Sequence, residues 1–100
     1  MEEFKCRFEI EGLPSTVRSG QILNISAQVL EANAPVQTIV VSVPEGNIYS
    51  RMKKVSDNKF SLSLTVPYGG EGMSVQAAVY ALSEDNRRSE KKYYDVSVAY

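Results

Sequence analysis

Stretch after stretch of this chain alternates apolar and polar residues with a period of two, and no stretch sustains the period of 3.6 that a helix needs. Phe60-Ser61-Leu62-Ser63-Leu64-Thr65-Val66 is the cleanest case. Successive side chains of a strand leave on opposite faces, so this segment has one wholly apolar face and one hydroxylic face. A strand of that kind is buried on one side only, which is the condition of an antiparallel sheet with one face on a core and the other in water.

The same reading predicts seven strands: Phe4 to Ile10, Ile22 to Leu30, Val36 to Val43, Ile48 to Val55, Phe60 to Val66, Met73 to Ala81, and Lys92 to Tyr100. Turn residues separate them at Gly12-Leu13-Pro14, Ser19-Gly20, Pro44-Glu45-Gly46-Asn47, Ser56-Asp57-Asn58-Lys59 and Pro67-Tyr68-Gly69-Gly70. The inward sets follow from phase. They begin with Phe4, Cys6, Phe8 and Ile10 on the first strand and Leu23, Ile25, Ala27 and Val29 on the second. Ile39, Val41 and Val43 follow, then Met52, then Met73, Val75, Ala77, Val79 and Ala81, and last Tyr94, Val96, Val98 and Tyr100. Seven short strands in 100 residues predict an all-β fold, a seven-stranded antiparallel Greek-key β-sandwich, with an open barrel as the structural alternative. The length holds one core, and residues 1–100 read as a single domain. Strand pattern starts just after Met1-Glu2-Glu3 and runs to Tyr100, as expected of a module cut from a larger protein.

Composition removes several function classes. Eleven basic against twelve acidic residues leave a net charge of −1, without the basic footprint that binding a phosphate backbone requires, so nucleic acid is not an expected partner. The longest apolar run, Ile39 to Val41, is far shorter than the roughly 20 residues of a membrane span, so no membrane insertion is expected. The acidic start Met1-Glu2-Glu3-Phe4 lacks the basic and apolar regions of a signal peptide. Cys6, the one cysteine, has no disulfide partner in the chain and reads as a small apolar residue of the first strand. With no histidine and with carboxylates scattered over turns and outward faces, no catalytic residues and no cofactor are expected. Gly69-Gly70-Glu71-Gly72 lacks the lysine and following helix of a phosphate loop and reads as a hairpin connection.

Two sets of residues remain as candidates. Glu84, Asp85 and Asn86, with Asp57-Asn58 or Asp95 as additions, offer the hard oxygen ligands that calcium takes, although Arg87 and Arg88 beside them oppose a cation and favour a solvated turn. The second set comes from comparing the two outer faces of the predicted sandwich. One carries Lys5, Arg7, Glu9, Arg51 and Lys53; the other carries Val40, Ala78, Tyr80 and Tyr93 among small polar residues, with Asp95 its only charge. A face of low polarity bearing tyrosines suits a contact surface. Tyr80 and Tyr93 have three roles open to them: covering the sheet as a cross-strand pair, meeting a neighbouring domain or another protein, or stacking on a sugar.

From Gly12 to Tyr100 the chain resembles the immunoglobulin-like and fibronectin type III-like modules of secreted, multidomain bacterial proteins. The residues that carry the resemblance are Gly20 with Leu23-Asn24-Ile25-Ser26-Ala27, and Pro35-Val36 opening Ile39-Val40-Val41-Ser42-Val43. Phe60 to Pro67 and Val75-Gln76-Ala77-Ala78-Val79-Tyr80-Ala81 complete it. The tryptophan and cysteine pair of antibody domains are absent. The resemblance implies a noncatalytic spacer or protein-interaction module of an extracytoplasmic protein. Its alternative is a carbohydrate-binding accessory module using Tyr80, Tyr93 and Tyr49 as platforms.

Overall fold

The computed structural model describes residues 3–46 and 48–100; Met1, Glu2 and Asn47, named above in the acidic start and in one turn, lie outside the described residues. The described chain is all-β. Its strands are β1 (Cys6–Glu11), β2 (Thr16–Arg18), β3 (Ile22–Ala32), β4 (Val36–Val43), β5 (Ile48–Arg51), β6 (Lys53–Ser56), β7 (Lys59–Thr65), β8 (Ser74–Ser83) and β9 (Lys92–Ala99). A single 3-10 turn, Pro44–Gly46, follows β4. Four strands form one sheet in the order β1-β3-β7-β6, and five form the other in the order β2-β9-β8-β4-β5. All pairs are antiparallel except β2 with β9. The two sheets pack face to face as a sandwich.

Nine strands replace the expected seven because the chain changes sheet at two edges. After β1, Gly12 takes φ +86° in a place where a Cβ would collide with the Asn24 carbonyl, and the chain re-forms as β2 on the opposite sheet. The stretch Ile48 to Val55 divides at Met52. The Met52 amide donates to the Ile39 carbonyl at 2.8 Å, and its carbonyl accepts from the Thr38 hydroxyl at 2.7 Å. Both backbone groups are thereby satisfied while the thioether enters the core, and β5 and β6 pair with different sheets. Strands that serve both sheets in turn shorten each open edge.

Alternation predicts the interior well. Leu23, Ile25, Ala27 and Val29 of β3 are buried, as are Ile39, Val41 and Val43 of β4. Met73 and Tyr100, expected inward, are instead 47% and 94% exposed. Both stand just outside their strands: Met73 closes the turn before β8, its amide bonded to the Gly70 carbonyl at 3.0 Å, and Tyr100 follows β9 and rests on Gly72.

Register divides the core into two halves. The antiparallel pairing sets Phe8 beside Val29, towards the end where β3 finishes, and Phe60 beside Ala27, at the middle of β3. Phe4 joins them, as do Ile39 and Met52. The other end, where β3 starts, is lined chiefly by valines, among them Val17, Val66, Val96 and Val98.

Candidate functional site on the outer face of the five-stranded sheet

Pairing brings the four candidate residues together. Val40 lies opposite Tyr80 across β4 and β8, and Ala78 lies opposite Tyr93 across β8 and β9. On the far side of β4, Arg51 pairs with Val40 and Tyr49 with Ser42. Alternation then directs Tyr49 and Arg51 to this outer face, which corrects the expected place of Arg51 on the charged face of the other sheet, because β5 pairs with β4 and not with β7.

The expected exposure of this face is corrected by the structure for three of the four residues. Val40 and Ala78 are buried, and Tyr80 is only 3% exposed, whereas Tyr93 is 59% exposed. For Tyr80 the cause is the segment between β8 and β9. Beyond Ser83 the chain turns through Asn86 at φ +67° and comes back along β8. There the Ser89 amide donates to the Ala81 carbonyl at 2.9 Å, and the Ala81 amide donates to the Ser89 hydroxyl at 2.8 Å. Leu82 and Arg88 form a further bridge. The returning segment delivers Arg88 and Lys91 over the Tyr80 ring, each 5.6 Å from its centroid, a distance at which a cation is attracted to an aromatic face.

Tyr80 also shares a hydrogen bond with Tyr49. Burial, and then the bond to Tyr49, hold the Tyr80 hydroxyl above the ordinary tyrosine value. Tyr49 is exposed and moves the other way, lowered chiefly by the hydrogen bond with Tyr80 and then by Arg51 and Arg88. The Tyr80 ring is occupied by neighbours within the fold, and the aromatic surface left to solvent on this face is that of Tyr49 and Tyr93.

Sequence reasoning identified the tyrosines but missed the cover over Tyr80. Arg88 and Lys91 lie in a loop with no period, so nothing in the pattern aims them at β8. The spacing of Tyr49 and Arg51 was a usable signal for their common face.

At the calcium candidates, Asp85 accepts from the Ser83 hydroxyl and forms an ion pair with Arg87 at 2.8 Å. These contacts, the Ser83 bond first, hold its carboxyl below the ordinary aspartate value. Among the described residues no three His, Cys, Asp or Glu side chains converge as a metal site would require. Cys6 is half-buried and burial raises its thiol, an effect that Lys92 partly opposes; a raised value disfavours the nucleophilic thiolate.

Two packed antiparallel sheets in this order form a β-sandwich, and solved structures share the fold, a fibronectin(III)-like module among them. The chain is similar to the fibronectin(III)-like modules of Clostridium thermocellum CbhA, with a TM-score of 0.66 and 13% identity over 94% of this chain and 100% of that one. It is similar to part of the endo-beta-1,4-mannanase from Thermotoga petrophila, with a TM-score of 0.67 and 13% identity, over 99% of this chain but 20% of the mannanase. A Niemann-Pick type C2 protein from the Japanese carpenter ant shows a TM-score of 0.59 at 6% identity, over 97% of this chain and 93% of that one. No protein-family model matches the sequence, and no curated protein matches it. At these identities the likeness is one of fold.

Proposed function

We propose that the chain is a noncatalytic module, a spacer or protein-interaction domain within a larger extracytoplasmic protein. The observation that carries this reading is the end-to-end likeness to a fibronectin(III)-like module, joined by the likeness to one fifth of a mannanase chain. The fold thus occurs as a unit set among other domains. Chain polarity suits the role. Lys5 is tied to Asn33 at the phenylalanine end, and Tyr100 rests on Gly72 at the valine end, so the described chain enters and leaves at opposite ends of a body 45 Å long. A neighbour before it and a neighbour after it would be held apart.

Incubation with soluble β-glucan and β-mannan tests the reading, with reducing-sugar release followed in solution and mobility followed in polysaccharide gels. Neither sugar release nor retardation is expected. Turnover would overturn the noncatalytic assignment. Retardation lost on Tyr49→Ala or Tyr93→Ala would replace the spacer with a carbohydrate-binding module.

A further inference from the structure

Three exposed cations gather at one place on the outer face of the five-stranded sheet. Arg88 and Lys91 bring their charged ends to 5.6 Å from the centre of the Tyr80 ring. Arg51 arrives from the other side: it pairs with Val40, and Val40 pairs with Tyr80, so β5 sets it in the same cross-strand row. It faces the Tyr49 hydroxyl, which is bonded to Tyr80. The ion pairs among the described residues, Arg7 with Glu31 and Arg87 with Asp85, include none of the three. In the covering loop, Asp85 is held by Ser83 and Arg87, and Glu90 lines a recess beside Glu3 and Lys5. Asp95 is the one acid in the five strands of this sheet, and it stands beyond Tyr93, opposite Gln76. Like charges held this close repel one another, and the face of the Tyr80 ring offsets only part of that cost.

We propose that this cluster binds an acidic segment of a partner protein, extended across the face with alternate carboxylates at Arg51, Arg88 and Lys91. The inference rests on the protein-interaction reading and names the chemistry of the partner. Charge sets the class, because carboxylates satisfy cations that the fold leaves without an acid. Spacing sets the conformation: alternate side chains of an extended peptide stand on one side about 7 Å apart, the scale of two charged ends flanking one ring. Composition favours a protein over a glycan. Arginine and tyrosine are the side chains that protein interfaces concentrate, and exposed Tyr49 and Tyr93 flank the cations here. The two tyrosines lie in one cross-strand row with Ser42 and Ala78 between them. Three strand spacings, roughly 14 Å, separate them, so no one sugar ring stacks on both.

The test is an NMR titration of the domain with a short synthetic peptide alternating aspartate and valine, with its asparagine counterpart, and with polygalacturonate. Expected are shifts at Arg51, Arg88, Lys91, Tyr49 and Tyr93, and roughly tenfold tighter binding of the aspartate peptide than of the asparagine one, falling away as salt rises. Arg51→Gln with Arg88→Gln, checked for cooperative melting, should weaken the aspartate peptide by roughly tenfold, whereas Lys53→Gln with Lys54→Gln on the other sheet should leave it unchanged. Equal losses from the two pairs would reduce the binding to general attraction and overturn the site. No binding of peptide or polygalacturonate would overturn the acidic partner and leave the spacer standing. Tighter binding of polygalacturonate than of the aspartate peptide would overturn the protein-interaction reading itself in favour of an acidic glycan.

Discussion

The two ends of this sandwich are built from the same strands and close in different ways. From the middle of β3 to the end where it finishes, Phe60, Phe8 and Phe4 fill the space between the sheets, and each is almost wholly buried. The same end is covered from outside: Arg87 lies 6.0 Å from the Phe4 ring centre, Lys92 lies 4.8 Å from that of Phe8, and Arg88 and Lys91 lie over Tyr80. At the end where β3 starts, valines make up most of the interior, and Tyr68 and Met73, beside an open recess at that end, are exposed. The difference teaches that burial in the alternating pattern says which side chains point inward, while their size and register decide whether the interior closes.

Paired substitutions sharpen the comparison most. Phe60→Ala removes a ring from a site with no room to collapse and is expected to destabilise the domain by about 3–5 kcal/mol. Val98→Ala removes two methyl groups beside an open recess into which neighbours can relax and is expected to cost about 1–2 kcal/mol, near their transfer value. Urea unfolding with an unchanged slope reads both values. Equal losses at the two positions would break the comparison, because the valine end would then be packed as tightly as the phenylalanine end.

The outer layer gives the next largest effect. Tyr80→Ala uncovers Val40 and leaves Arg88 and Lys91 without their ring, so a loss of about 2–4 kcal/mol is expected. Tyr93→Ala, on an exposed side chain, should stay within about 0.5 kcal/mol. Tyr80→Phe isolates the hydroxyl and should cost about 1 kcal/mol. If thermal melts show Tyr80→Ala to be as mild as Tyr93→Ala, the loop does not seal this end in solution.

The strands themselves were legible. Phe60 to Val66 alternates so regularly that β7 and its inward face follow from it, and Leu23 to Val29 predicts the buried row of β3. What was not legible depends on residues distant in sequence. The change of sheet at Met52 rests on Thr38 and Ile39, which lie fourteen and thirteen positions earlier. Val17 sits in a segment that reads as a break, and only its parallel pairing with Val98 places it in the core. Tyr80 looked outward, correctly, but alternation assigns a face without saying what will lie on it. Asp85 likewise reads as a possible ligand until its bonds to Ser83 and Arg87 are seen.

The smallest expected effect is a dependence on alkaline pH, and it too separates the ends. Tyr80, through burial and its bond to Tyr49, and Tyr94, through burial, have hydroxyls raised above the ordinary value of 10.0. An acid raised in the folded state loses its proton first from the unfolded chain, so the stability it contributes is complete below pH 10 and falls as pH rises through the raised value. Tyr49, lowered by the bond from Tyr80, acts with the opposite sign below pH 10 and offsets part of that loss. Denaturation midpoints measured from pH 8 to pH 11 should therefore decline most steeply above pH 10. Tyr80→Phe should flatten the decline, because it removes one raised group together with the bond that lowers Tyr49. Val98→Ala at the valine end should lower the midpoints at every pH and leave their slope unchanged. A slope untouched by Tyr80→Phe would assign the alkaline loss to Tyr94 and detach it from the covered outer face.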